Sequence, residues 1–423
     1  MSRTLSEWLD YIERTHPAGI ELGLERVARV RDALGLSFAG PIITVGGTNG
    51  KGSTCAMLDA ILRAEGYRVG LYTSPHLLHF NERVRLSGVP VSDGELVLAF
   101  EAVEQARGDT PLTYFEFGTL AAWHIFATAP LDALVLEVGL GGRLDAVNAF
   151  EPDCAIVTRV SIDHVDYLGS SRESIGAEKA GIFRAGKPAI CADPCPPGTL
   201  VAHAQAIGAD LQQIGRDFSY VGGLTQWRFN GRSGSRAGLA PPALRGATQL
   251  ANAAACLAAL DAMSKRLPVS MQAVRLGLAT VELPGRFQVL PGRPSVVLDV
   301  AHNPDAAATL AANLSDMGFY PETHAVIGML RDKDIEGVCR AVKGSVSAWL
   351  ACDLPGPRAA TAAMIQEAIA KSAAGAEVST FPSPRAAYAE ARRRAGENDR
   401  ILVFGSFLTV ADVMAATASD TGG

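Results

Sequence analysis

The stretch Ile42-Ile-Thr-Val-Gly-Gly-Thr-Asn-Gly-Lys-Gly-Ser53 carries the information that decides the fold. Its β-branched run from Ile42 to Val45 follows a turn at Gly40-Pro41 and predicts a buried strand, with a helix beginning near Lys51. Between strand and helix, glycines let the backbone approach a phosphate closely. Consecutive N–H groups and the helix N-terminus attract the anion, and the Lys51 ammonium neutralises charge on the β- and γ-phosphates. The common pattern G-x-x-x-x-G-K-[ST] is not met, because Val45 stands at its first glycine and Gly52 separates Lys51 from Ser53. A plain glycine turn before a core helix is the competing reading; the strand-loop-helix context favours a nucleotide cradle.

Working outward, further strands read at Val69 to Thr73, Ala133 to Val138, Cys154 to Val160 and Pro188 to Cys191, with room for helices between them. Such alternation implies a mainly parallel sheet. From Gly215 to Pro242, glycine and short alternating stretches suggest a small antiparallel appendage, followed by an alanine-rich helix from Gln249 to Met263. The stretch 283–294 holds three prolines and two glycines and reads as an irregular hinge. Beyond it, runs at Ser295 to Val300, His324 to Ile327, Val346 to Leu350, Glu377 to Phe381 and Ile401 to Phe404 alternate with helical ones, and 417–423 reads as a frayed tail. The expected fold is α/β with two doubly wound domains: a P-loop ATPase-type domain with its β appendage over 1–282, a linker over 283–294, and a Rossmann-like domain over 295–423.

The composition agrees with that scale. A chain of 423 residues with 48% hydrophobic and 19% charged residues excludes disorder and collagen-like structure. A net charge of -6 gives no reason to expect nucleic acid as a partner. The segment from Met1 to His16 lacks the apolar core of a signal peptide, and Leu250 to Met263 is too short and too interrupted to span a bilayer. No membrane partner is expected. Seven cysteines, odd in number and without C-x-x-C spacing, argue against a disulfide framework or structural zinc and for the cytoplasm; Cys191 and Cys195 read as two reduced thiols.

Candidate ligands of a phosphate-bound Mg2+ stand at strand ends. Glu137 closes Leu134-Val-Leu-Glu-Val and His164 follows the strand ending at Val160, both at the carboxyl edge where α/β folds bind ligands. Each alone has a bland alternative, a solvated carboxylate or a structural histidine. By composition alone Lys179 reads as a surface lysine. In the second domain Asp299-Val-Ala-His-Asn-Pro304 sits where a strand yields to a helix; Asn303 before Pro304 is also good N-cap chemistry. Gly405 and Ser406 repeat such a glycine turn.

Together these motifs resemble the folylpolyglutamate synthase/dihydrofolate synthase family of the Mur ligase superfamily. The likeness rests on Gly46-Gly-Thr-Asn-Gly-Lys-Gly-Ser53, Thr73-Ser-Pro-His-Leu77 with Glu82-Arg-Val84, Leu112-Thr-Tyr-Phe-Glu116 and Glu137-Val-Gly-Leu-Gly-Gly-Arg-Leu-Asp-Ala146. It continues through Asp163-His164, Glu178-Lys-Ala-Gly-Ile182, Leu283-Pro-Gly-Arg-Phe-Gln288, Asp299-Val-Ala-His-Asn-Pro304 and Gly328-Met-Leu-Arg-Asp-Lys-Asp334. The resemblance implies that Gly50, Lys51, Gly52 and Ser53 hold ATP phosphates, with Asn252, Arg286 and Asp299 at nucleotide-binding positions. It implies Ser74, Glu137 and His164 as Mg2+ ligands, and a carbamylated Lys179 serving a second Mg2+. Glu21, Leu22, Thr113, Tyr114, Phe115, Glu116, Leu144, Asp145 and Ala146 would face a pterin, and His302 and Ser406 the incoming glutamate. Val147 departs from the family, which often has Thr there.

The implied reaction is an ATP-dependent amide ligation through an acyl phosphate, adding L-glutamate to 7,8-dihydropteroate or to reduced folates, with Lys51, Lys179 and His302 as catalytic residues. Closure about 283–294 would keep water from the acyl phosphate. Rival readings are a folate-extending enzyme with one activity, a ligase acting on a cell-wall precursor, and a non-catalytic ATP switch. A monovalent cation and a monomeric state belong to the same expectation.

Overall fold

The computed structural model describes residues 3–421 apart from Ala18 and Leu224, and only the backbone of 418–421. Two compact units divide the chain, Met1–Ala243 with Leu250–Val281 and Leu244–Gln249 with Glu282–Gly423.

In the first unit, β1 (Ile42–Gly46), β2 (Val69–Tyr72), β3 (Val84–Leu86), β4 (Val89–Pro90), β5 (Ala133–Glu137), β6 (Cys154–Val157), β7 (Pro188–Cys191) and β8 (Asp210–Gln213) form one sheet in the order β4-β3-β2-β5-β1-β6-β7-β8. Every residue of β1, β2, β5 and β6 is buried, as the near-continuous apolar runs of a parallel sheet covered on both faces require. The sheet is mixed, because β3 runs antiparallel to β2 and β4 antiparallel to β3 at its edge. These strands are only three and two residues long, too short to leave a period in the sequence.

The appendage is an antiparallel sheet of β9 (Ser219–Gly222), β10 (Trp227–Gly231) and β11 (Gly234–Leu239). The helix Lys51–Glu65, which starts at the glycine loop, is buried along most of its length from Gly52 to Leu62. The alanine-rich helix runs Gln249–Ala262.

In the second unit, β12 (Gln288–Leu290), β13 (Ser295–Leu298), β14 (Thr323–Ile327), β15 (Ala348–Cys352), β16 (Glu377–Phe381) and β17 (Arg400–Phe404) follow the order β12-β13-β17-β14-β15-β16. All pairs are parallel except β12 with β13. Within the stretch 283–294 lies one short strand, β12, that the sequence pattern does not announce. The prolines and glycines flank residues 286–290, which leaves Gln288 free to pair with Leu298 as an edge strand. Of the tail expected to fray, residues up to Thr421 belong to the helix Phe407–Thr421, while Gly422 and Gly423 lie outside the described residues. No helix among the described residues is long and apolar enough to cross a membrane.

The helix Lys51–Glu65 is seated against the helix Met271–Thr280 with backbone almost touching backbone. A Cβ on Gly277 would lie 2.5 Å from the Ile61 Cα and 2.6 Å from its nitrogen. Gly277→Ala should therefore push the two helices apart and cost about 1–3 kcal/mol, read as a lower urea midpoint. A midpoint equal to that of the wild type would refute this packing.

Candidate active site

The loop Gly46 to Ser53 leaves the buried end of β1 and is sewn to the segment that follows β6. Thr48 donates its N–H to the Arg159 carbonyl at 2.7 Å; its Oγ1 donates to the Ser161 carbonyl at 2.9 Å and accepts the Ser161 N–H at 3.0 Å. Thr158 Oγ1 donates to the Asn49 carbonyl at 2.8 Å. Gly50 holds φ +94°, and a Cβ there would meet Asn252 Oδ1 at 2.7 Å, so only glycine fits between loop and amide. The Lys51 ammonium curls over its own loop, donating to the carbonyls of Gly47 at 3.1 Å and Thr48 at 3.3 Å. Gly52 and the buried Ser53 lie in the first turn of the helix, where N–H groups lack intrahelical acceptors.

At the carboxyl edge of β5, the buried Glu137 accepts the Ser74 N–H at 3.1 Å. Ser74 stands on a loop that braces itself. The Glu82 carboxylate accepts N–H groups from Leu77, Leu78 and His79, each at 2.8 Å, and Arg83 Nε donates to His76 Nδ1 at 2.9 Å. His164 caps a short helix at φ +51°, and its N–H donates to Asp163 Oδ1 at 2.8 Å. These donors, carboxylate and hydroxyl oxygens with one imidazole, suit a hard divalent cation that keeps water.

Lys179 is 3% exposed on the helix Arg172–Ala180, which corrects the surface reading: tertiary packing of that helix overrides the composition prior. Burial, aided by the positive charge of Lys51, lowers its ammonium to about 7, while Asp163 and Asp145 pull the other way. Asp145 is pushed up to about 6 by burial, against N–H groups of Leu140 at 2.8 Å and Val147 at 2.9 Å and the charge of Lys51. Lys51, Lys179, Asp145 and Asp163 thus share one electrostatic field. The Asp145 loop is docked on the Lys179 helix by Arg143 N–H to the Glu178 carbonyl at 2.8 Å and by the Asn148 amide to the Gly181 carbonyl at 3.1 Å. Val147 is fully buried in the neighbouring apolar cluster and needs no hydroxyl to hold the loop, since its N–H does so.

Several residues expected on the pterin side are brought together. Arg26 bonds Glu21 and reaches Glu116 Oε1 at 2.9 Å, while His16 Nε2 lies 3.3 Å from Glu21 Oε2. Thr113 and Glu116 are also a reciprocal capping box opening the helix Tyr114–Thr128. The Gly23 N–H donates to the Leu144 carbonyl at 3.2 Å, tying the segment after Leu22 to the Asp145 loop. Phe115 packs near Tyr72 at 6.1 Å, Tyr114 lies edge-on to Phe80 at 5.8 Å, and Ala146 is buried. Reading the sequence alone misses Arg26, His16, Thr48 and Thr158. Thr48 lies inside the loop motif, but Arg26 looks like any charge on an amphipathic helix surface.

In the second unit, Asp299 accepts N–H groups from Phe287 at 2.8 Å and Ala301 at 2.7 Å; burial raises it from the usual carboxylate value, with Arg286 opposing. Arg286 lies over the Phe407 ring at 4.9 Å, and the His302 ring is 6.4 Å from the same phenyl. His302 Nδ1 sits 2.8 Å from the Val300 carbonyl, which can only accept, so Nδ1 carries the proton. Asn303 accepts the Ala306 N–H at 2.9 Å as the N-cap. The buried Ser406 accepts the Leu408 N–H at 3.2 Å.

Residues 45–195 match the Mur ligase middle domain and 285–407 the Mur ligase glutamate ligase domain. The chain is 46% identical over 97% of its length to the Escherichia coli (strain K12) dihydrofolate synthase/folylpolyglutamate synthase, covering 94% of that protein. It is similar, at a TM-score of 0.95 and 45% identity over 99% of both chains, to E. coli FolC in complex with DHPP and ADP. A bifunctional folylpolyglutamate synthase/dihydrofolate synthase with Mn, AMPPNP and L-glutamate bound matches at a TM-score of 0.91 and 44% identity, over 99% of this chain and 98% of that one.

Depression of the Lys179 ammonium to about 7 means that the unfolded chain binds the extra proton between that value and the ordinary lysine value near 10.5. Stability of the metal-free, CO2-free protein should therefore rise with pH from 7 to 10, and the penalty should be full below 7. Lys179→Met should melt higher than the wild type at pH 6, with the gap narrowing toward pH 10. A pH-independent gap would refute the buried-ammonium reading.

Proposed function

Because the chain belongs to the dihydrofolate synthase/folylpolyglutamate synthase family of Mur ligases, we propose that its site residues divide one ligation into four tasks. The chain is an ATP-dependent ligase with dihydrofolate synthase and folylpolyglutamate synthase activity, joining L-glutamate to its acceptor. The tasks are holding ATP phosphates, charging a carboxylate, gripping a pterin and admitting the amine.

The single observation that carries this reading is the glycine loop heading the helix Lys51–Glu65, together with a buried Lys179 whose helix is bonded to the Asp145 loop. Phosphoryl transfer asks chiefly for positioning and charge neutralisation. Gly50, Gly52 and Ser53 offer N–H groups to the ATP phosphates, and the Lys51 ammonium exchanges its two loop carbonyls for phosphate oxygens. Asn252, against the same loop, with Arg286 and Asp299, contacts the rest of the nucleotide. The carboxylate of 7,8-dihydropteroate or of a reduced folate takes the γ-phosphoryl group, giving an acyl phosphate and ADP. The glutamate amine then attacks the acyl carbon; the C–N bond forms and phosphate leaves with the electron pair. His302, protonated at Nδ1, presents Nε2 as acceptor for the amine proton, and Ser406 orients the glutamate.

Ser74, Glu137 and His164 would hold Mg2+, and Lys179 would join a second ion as a carbamate; bound there, the ions neutralise phosphate charge. A neutral Lys179 amine adds CO2 to give N–COO− and a proton, and an amine lowered to about 7 supplies that neutral form at cellular pH. We also assign a monovalent cation to the reaction, with no residue named for it. Glu21, Leu22, Thr113, Tyr114, Phe115, Glu116, Leu144, Asp145 and Ala146 form the pterin side. Seven unpaired cysteines support a cytoplasmic setting, and we take the active species to be a monomer.

The decisive measurement is ADP release with Mg-ATP and L-glutamate, with and without 7,8-dihydropteroate. Release should need both acceptor and glutamate, with dihydrofolate as product; release without acceptor would overturn the reading. Lys51→Ala should lower kcat by ~10^3 or more while leaving the urea midpoint near the wild-type value. Arg286→Ala should raise the KM for ATP, and unchanged ATP kinetics would remove it from the nucleotide set.

A further inference from the structure

At the end of the second unit's sheet opposite to Asp299 and Ser406, the residues that lead into β14 and β17 bring three ligand-type side chains together. Glu322, His324 and Asp399 each offer one donor atom, and all three atoms lie within 4.8 Å of one another. β14 and β17 are parallel neighbours, with Thr323 paired to Arg400 and Ile327 to Phe404. The five residues of β14, at about 3.3 Å of rise each, set this cluster roughly 15 Å below the carboxyl edge. None of the three is among the residues assigned above to the ligation.

The histidine makes the cluster more than a group of acids. Its side chain is 4% exposed, and neither ring nitrogen has a hydrogen-bond partner among the described residues. A buried imidazole left this way is costly unless something occupies its lone pair. His324 Nε2 is aimed at Glu322 Oε2, 3.4 Å away, and at Asp399 Oδ2, 3.9 Å away, without hydrogen-bond geometry to either. Ligands of a tetrahedral ion held at about 2.0–2.2 Å stand roughly 3.3–3.6 Å apart. The first separation already fits, and the second needs a shift of a few tenths of an ångström.

We propose that Glu322, His324 and Asp399 bind one borderline divalent cation of the Zn2+ type, with water in the fourth position. Imidazole with two carboxylates selects such an ion over Mg2+, and the ion's charge cancels that of the carboxylates. Asp399 is already oriented for the task, accepting N–H groups from Gly396 at 2.7 Å and Glu322 at 3.2 Å and keeping lone pairs to spare. The adjacent Arg400 does not compete, since its guanidinium bonds Thr323 Oγ1 and the Leu314 carbonyl and lies over Tyr320. Glu322, with 58% of its side chain exposed, leaves the fourth position open to solvent. The ion would clasp the starts of two central strands, a structural role.

The test is zinc titration of the metal-stripped full chain in saturating Mg2+, by calorimetry and thermal melting. The wild type should take up one more equivalent of Zn2+ than Glu322→Gln, a change at an exposed residue that leaves the fold intact. Zinc at a hundredfold excess over Kd should raise the wild-type Tm by about 5 °C or more, and that of Glu322→Gln by less. His324→Gln should lose the same equivalent, and Mg-ATP-dependent ADP release by Glu322→Gln should match the wild type. Equal zinc stoichiometry and equal Tm shifts in wild type and Glu322→Gln would overturn the proposal.

Discussion

The first unit is organised around a cost: the Lys179 ammonium is buried within the electrostatic reach of Lys51. Burial and the charge of Lys51 both disfavour that ammonium, and the nearby Asp145 and Asp163 oppose them. That requirement fixes the loop carrying Asp145, whose carboxylate is held by the Leu140 and Val147 N–H groups. It also fixes the helix carrying Lys179, which is clamped to the same loop through Arg143 and Asn148.

A second regularity is that helix caps fall on or beside the residues proposed for recognition. Thr113 with Glu116, Asp145, Asn303 and Ser406 all satisfy N–H groups at the start of a helical segment. In doubly wound sheets the helices following the strands begin at the carboxyl edge, where ligands also bind. A short polar side chain there completes the helix at the edge where a ligand would bind. For this reason, the N-cap reading of Asn303 and the site reading of its neighbours are compatible.

The Glu21, Arg26 and Glu116 network shows how such a side is held in place. Arg26 shares one guanidinium between two carboxylates, so each limits the rotamers of the other. His16 adds a contact from the other side, its Nε2 3.3 Å from Glu21 Oε2.

Much of this was legible in the amino-acid order. The β-branched run before Val45, the glycines around Lys51 and the strand-end positions of Glu137 and Asp299 determined two α/β sheets and their ligand-bearing edges, because buried parallel strands and phosphate loops each demand a local pattern. The sequence did not reveal β3, β4 and β12, which are too short to carry a period. Nor could it show that Lys179 is buried, that Arg26 bridges Glu21 and Glu116, or that Glu322, His324 and Asp399 converge. Local pattern records how each residue meets its own element. Burial, pKa and convergence depend on which distant elements pack together, and that was decided only by the tertiary structure.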